Sequence, residues 1–149
     1  MNSKPGALPD AQPTPPRPDL DAVHAQRRHG LDAARPEAVE RRHRLGKRTA
    51  RENLDDLCDP GSFIEYGALA LAAQRRRRSL AELQRDTAAD GLVAGIGQVN
   101  GEVFGAARAR CVVMRYDHTV RAGTQRYQNH RKTARVREIA ATQHLPVVF

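Results

Sequence analysis

The sequence predicts an α/β domain, approached through a helical entry segment and a proline-rich leader. Three observations carry that expectation. Six of the nine prolines (Pro5, Pro9, Pro13, Pro15, Pro16 and Pro18) precede Leu20. Two capping boxes, Thr49 to Glu52 and Ser79 to Glu82, announce helix starts. At Asp90 the texture turns to Val, Ile, Ala and Gly, as buried strands require, and a helical stretch and a final apolar run follow.

Taken in order, residues 1–34 read as a disordered leader or linker that ends in a weak helix over 20–34. So many prolines with so few apolar side chains bury too little to offset the entropy of ordering. Residues 35–89 read as the entry segment. Pro36 suits a first helical turn, Glu37 and Glu40 suit its positive end, and Gly46 stops it. The Thr49 capping box opens the next helix, with Leu54, Leu57 and Cys58 as its apolar stripe, and Asp59-Pro60-Gly61 closes it. Ser62 to Tyr66 reads as a short extended piece. The run Arg75–Arg78 then leads into the Ser79 capping box.

Residues 90–149 read as the start of the sheet domain. Leu92–Ile96 is a strand. Asn100-Gly101 fits a type I′ hairpin turn, with Val103-Phe104 opening the return strand. Cys111–Met114 is a third buried strand. Gly123 frees a turn and Thr124 caps a helix over 125–142, whose buried side would be Ala134, Ile139, Ala140 and Ala141. Pro146–Phe149 opens another strand, which looks cut.

Composition narrows the function. At 149 residues the chain has the length of one domain, and 40% hydrophobic with 4% aromatic content supports one small core. No apolar run approaches the ~20 residues that cross a bilayer, so no membrane role is expected. Cys58 and Cys111 make neither a metal spacing nor a disulfide framework, and two reduced thiols suit a cytoplasmic protein. His24, His29, His43, His118, His130 and His144 are scattered without ligand spacing, so no metal is expected. The net charge of +8 is compatible with an anionic partner, but also with arginine as the default solvent-facing residue. The Arg75–Arg78 run is either a nucleic-acid or phosphate contact or a solvated helix entry. No aromatic residue interleaves it, which argues against nucleic acid. The Gly95-x-Gly97 pair lacks a following helix and is too weak a signal for a dinucleotide site. Asp117-His118 resembles a base and its orienter, but no motif fixes a nucleophile beside it.

Several blocks together resemble one family. Lys47 to Leu54 with Asp59 to Gly67, then Thr87 to Gly95, then Tyr116 to Gln125 continued by Asn129 to Thr133, fall in the order seen in the carboxyltransferases of biotin-dependent acyl-CoA carboxylases, of the acetyl-CoA and propionyl-CoA carboxylase type. The match covers roughly residues 35–149 and is nearest to large multidomain carboxylases. It implies a crotonase-like fold, a superhelix of β-β-α units, here incomplete. The implied reaction moves a carboxyl group from carboxybiotin, carried on a partner carrier domain, to an acyl-CoA.

That chemistry needs backbone N–H donors for an enolate and close positioning of the two reactants. In the family, one donor set is a Gly-Gly turn after the strand that begins here at Pro146. No residue of this chain matches it, so no catalytic residue is assigned and the chain is expected to be inactive alone. The turn at Gly123 and Thr124, with Arg121 and Arg126 nearby, is the candidate CoA contact. A packing turn with surface arginines is the competing reading. The implied partners are biotin carboxylase and biotin carboxyl carrier domains or subunits, and other carboxyltransferase protomers. Two rival functions stay open: a non-catalytic docking piece that pairs through an unfinished sheet edge, and a basic nucleic-acid-binding module, which no recognisable motif supports.

Overall fold

The computed structural model describes residues 17–120 and 127–149. Helix α1 (Pro18–Arg28) opens it, with Pro18 in its first turn, Asp19 and Asp21 at its positive end and Arg27 and Arg28 at its negative end. The helix expected over 20–34 therefore starts earlier and stops at Arg28, and a short 3₁₀ turn (Asp32–Ala34) follows. None of α1 is buried. It is tethered by Gln26, which donates to the Leu69 carbonyl at 3.0 Å and accepts from Gln84 at 3.2 Å.

Helix α2 (Pro36–Arg44) ends before Gly46, whose φ of +67° is the left-handed conformation that a helix stop favours. Helix α3 (Ala50–Leu57) begins at the expected capping box. The Thr49 hydroxyl accepts the Glu52 amide at 3.1 Å, and the Glu52 carboxylate accepts the Thr49 amide at 2.7 Å. Helix α4 (Leu80–Asp86) repeats the device with Ser79 and Glu82.

The sheet has four strands in the order β1 (Ile64–Glu65), β2 (Leu92–Gln98), β3 (Arg110–Tyr116) and β4 (Val147–Val148). The first two pairings are antiparallel and the β3–β4 pairing is parallel. Alternation along β2 and β3 makes two faces. Leu92, Ala94, Ile96, Val112 and Met114 pack on Val136 and Ala140 of helix α6 (Tyr127–Thr142). Val93, Cys111 and Val113 pack on Ala50, Leu54 and Cys58 at the other face. Leu92, Val112, Val113 and Met114 are wholly buried, each worth about 1.5–3 kcal/mol relative to exposure. Both cysteines are free and lie in that second cluster, where burial pushes their thiols up.

Gly95 and Gly97 face the α3 side for packing reasons. A Cβ on Gly95 would stand 2.1 Å from the Ile64 carbonyl oxygen, and one on Gly97 would stand 2.7 Å from Cys58 Sγ. These glycines let β1 and α3 approach the sheet.

Two expectations are corrected. The β2–β3 connection is not a two-residue hairpin. Asn100 is left-handed at φ +55°, but Gly101 enters a single helical turn, α5 (Gly101–Phe104), and Val103 and Phe104 are exposed instead of opening a strand. The cause is Asp59, whose carboxylate accepts the amides of Asn100 at 3.0 Å and Gly101 at 2.8 Å. The buried side of α6 is also different. Ala134 and Ala141 are exposed, and Asn129, Lys132, Val136 and Ala140 form the stripe. Two of those four are polar because partners on other elements hold them.

Candidate functional site

The candidate site lies where β3 ends and α6 begins. Past Tyr116 the chain is pinned to the turn before β2: the Asp117 amide donates to the Gly91 carbonyl at 2.9 Å. The Asp117 carboxylate is buried and fully engaged. It accepts from Arg35 at 3.0 Å, from the Thr119 amide at 2.9 Å and from the Thr119 hydroxyl at 2.6 Å. Arg35 also donates to the Thr119 hydroxyl at 3.0 Å. The bonds of this carboxylate run to Arg35 and Thr119, and His118 beside it is exposed. Asp117 instead ties α2 to the end of β3.

The turn Ala88–Gly91 stores strain. Ala89, Asp90 and Gly91 are successive left-handed residues, at φ 52°, 49° and 71°. For the two non-glycine residues this costs about 1–2 kcal/mol each. The surroundings enforce it. The Asp90 amide donates to the Thr87 carbonyl at 2.9 Å, and the Asp90 carboxylate accepts the Asn129 amide at 2.8 Å. A buried negative charge thereby meets the first turn of α6, where the helix dipole favours it. The Asn129 side chain returns a bond to the Asp90 carbonyl at 3.4 Å.

One turn further along α6, Lys132 is buried against the sheet. Its ammonium donates to the carbonyls of Gly67, at 3.2 Å, and Leu92. Burial pulls its pKa down to about 8, against the pull of the Glu65 and Asp90 carboxylates and with the push of Arg51. Glu65 is itself paired with Arg51 at 2.7 Å. Lys132 thus fastens α6, β2 and the segment after β1 at one point.

Beside this junction runs the arginine-rich turn. Its base is fixed by Thr87, whose buried hydroxyl accepts the Ala72 amide at 3.1 Å and donates to the Leu83 carbonyl at 2.6 Å. The Gln74 carbonyl accepts the amides of Arg77 at 2.9 Å and Arg78 at 3.1 Å, which folds the turn. Arg78 points to Asp86, which also pairs with Arg85 at 2.8 Å. Arg75, Arg76 and Arg77 line a concavity of about 600 Å³ together with Ala73, Gln74 and Gln128, the last from the first turn of α6.

Of the residues expected to contact CoA, Gly123 and Thr124, with Arg121 and Arg126, lie outside the described residues. Sequence reasoning did not single out Asn129 or Lys132 as buried. The available signal was the Asp90-Gly91 pair at the change of texture, which marks the cap that α6 receives.

Residues 41–149 match the carboxyl transferase domain family. A probable biotin-dependent acyl-coenzyme A carboxylase beta2 subunit of Mycobacterium tuberculosis is 32% identical over 130 residues, covering 87% of this chain and 21% of that protein. The methylmalonyl-CoA carboxyltransferase 12S subunit of Propionibacterium freudenreichii is 33% identical over 127 residues, covering 84% of this chain and 22% of that one. Among solved structures, a single-chain, multi-domain long-chain acyl-CoA carboxylase superposes with a TM-score of 0.84 at 58% identity, over 89% of this chain and 13% of its own. A transcarboxylase 12S hexamer with hydrolysed methylmalonyl-coenzyme A bound superposes at 0.68 with 29% identity, over 86% of this chain and 23% of its own. The mixed sheet and its helices are therefore a fold shared with carboxyltransferases, and the chain belongs to the carboxyl transferase domain family. It spans about a fifth of the length of the curated relatives it matches.

Proposed function

We propose that these residues form one portion of a biotin-dependent acyl-CoA carboxyltransferase, which moves a carboxyl group from carboxybiotin to an acyl-CoA. The observation that carries the reading is the 58% identity and 0.84 TM-score shared with a long-chain acyl-CoA carboxylase. In this reading residues 35–89 are the entry to the domain and 90–149 are the first β-β-α turns of a crotonase-like superhelix. Residues 1–34 are read as a leader or linker.

The chain's own contribution is positional. The Asp90 cap and the Lys132 fastening fix the start of α6 against the sheet, and the Arg35–Asp117 pair holds the end of β3 to the start of α2. An enolate acceptor needs preorganised N–H donors. No glycine follows Gly123, so no residue here is assigned to the Gly-Gly turn that the family places after this strand. Carboxybiotin supplies an activated carboxyl group. No residue here is assigned to the biotin ring. The partners in this reading are biotin carboxylase, the biotin carboxyl carrier and other carboxyltransferase protomers. Two free, buried thiols support a reducing compartment such as the cytoplasm.

The test is to isolate the native polypeptide from its cells through an antibody against residues 17–34, then measure its intact mass and its retention on avidin. A mass far above 16.5 kDa, or a biotinyl protein held at fixed stoichiometry, is the expected result. A polypeptide of 16.5 kDa with no biotinyl companion would withdraw the carboxylase reading.

A further inference from the structure

The Arg75–Arg77 turn is the strongest feature that the carboxyltransferase reading leaves unused. None of the ion pairs among the described residues involves Arg75, Arg76 or Arg77. Arg78, next in sequence, is paired, and so is Arg85 on the following helix. The molecule has therefore neutralised one end of the run and left the other open. The open arginines are not on a loose tail. Two amides bound to the Gln74 carbonyl and the Ala72–Thr87 bond fix the turn that carries them.

The concavity they line has no acidic residue in its wall. Its opposite side is Gln128, in a helical turn that also lacks acidic residues. At about 600 Å³ it falls within the ordinary range for a small-molecule site. Guanidinium forks match phosphate oxygens bidentately.

We propose that this concavity holds the phosphate-bearing nucleotide end of a coenzyme A thioester, with Arg75, Arg76 and Arg77 as its anion ligands. The assignment rests on the acyl-CoA carboxyltransferase reading for the identity of the anion. Three arginines without ion pairs among the described residues, around one concavity, suit a compact polyanion. The three guanidinium groups favour the phosphates over the acyl end. A nucleic-acid strand is disfavoured because successive bases need a series of aromatic faces. The nearby ring of Tyr127 is alone and already carries the Arg131 guanidinium 5.8 Å from its centroid. Through Gln128 the concavity adjoins the first turn of α6, which Asp90 and Lys132 hold to the sheet.

The test uses the polypeptide as its cells make it, wild type against the triple variant Arg75→Gln, Arg76→Gln, Arg77→Gln. Steady-state carboxylation is measured with an acyl-CoA and with the matching acyl-pantetheine, which lacks the nucleotide. The KM for acyl-CoA is expected to rise about 10- to 100-fold with kcat little changed, as exposed charge-assisted contacts imply. The KM for acyl-pantetheine is expected to stay the same. Calorimetry with adenosine 3′,5′-bisphosphate gives a second reading, with binding to the wild type and none to the variant. An unchanged KM for acyl-CoA overturns the proposal, and so does an equal rise for both substrates. Tighter binding of a single-stranded oligonucleotide than of the bisphosphate also overturns it, in favour of a nucleic-acid surface. If the wild type carboxylates neither substrate, the carboxyltransferase reading fails, and the calorimetric comparison still decides whether the arginines form an anion site.

Discussion

Lys132 offers the sharpest physical test of the junction. Its ammonium is buried, bonded to two carbonyls and held at a pKa of about 8, whereas an exposed lysine titrates near 10.5. Between those values the unfolded chain binds the proton more tightly than the folded one, so stability rises with pH across that window. Below about pH 8 both states are charged and the full burial penalty is present. Above about 10.5 both are neutral and it is gone. At about 1.4 kcal/mol per pH unit the change amounts to roughly 3 kcal/mol. The charged groups facing Lys132 are Glu65, Asp90 and Arg51. The two buried thiols titrate in the same window with the opposite sign, because their folded pKa values are raised. The measurement is therefore a difference: urea unfolding of wild type and Lys132→Met at half-unit steps from pH 7 to 10.5. The thiols contribute equally to both proteins and cancel. The stability of the wild type relative to the variant is expected to climb by about 3 kcal/mol over the window. A flat difference would show that Lys132 is solvated and that the junction is looser than described.

Three substitutions test other parts of the account. Gly95→Ala drives a Cβ into the Ile64 carbonyl oxygen, so it should cost about 3 kcal/mol or more, and hydrogen exchange should show β1 released from β2. Asp90→Ala should cost about 1–2 kcal/mol more than Asp90→Asn in thermal unfolding, because asparagine tolerates the left-handed backbone and keeps an acceptor for Asn129, and alanine does neither. Asp117→Ala strands the buried Arg35 guanidinium and should cost about 3–5 kcal/mol, with most of that loss recovered in a double variant that also carries Arg35→Met.

The parts of the fold that were legible in the sequence are those fixed locally. Both capping boxes act across three residues, and both appear where expected. The strands at 92–98 and 110–116 were visible because apolar β-branched residues cluster there. The connection between them was misread because Asp59, some forty residues earlier, decides its shape. The buried face of α6 was misread for a similar reason. Alanines at 134 and 141 gave no directional signal, and Asn129 and Lys132 are buried by partners at Asp90, Gly67 and Leu92. The packing role of the Gly95-x-Gly97 pair depends on Ile64 and Cys58, which spacing alone does not reveal. At the candidate site, the arginine run was plain in sequence. Which of its members are neutralised was not, because that depends on Asp86 across a helix.

The central claim is tested most directly by carboxyl transfer. The polypeptide isolated from its cells is supplied with labelled carboxybiotin on a carrier domain and a series of acyl-CoAs, and the 149-residue chain is assayed beside it. The account predicts avidin-sensitive labelling of an acyl-CoA by the isolated polypeptide and none by the 149-residue chain alone. Labelling by the short chain would contradict the claim that the enolate donors lie in other residues, and no labelling by either would contradict the carboxyltransferase reading itself.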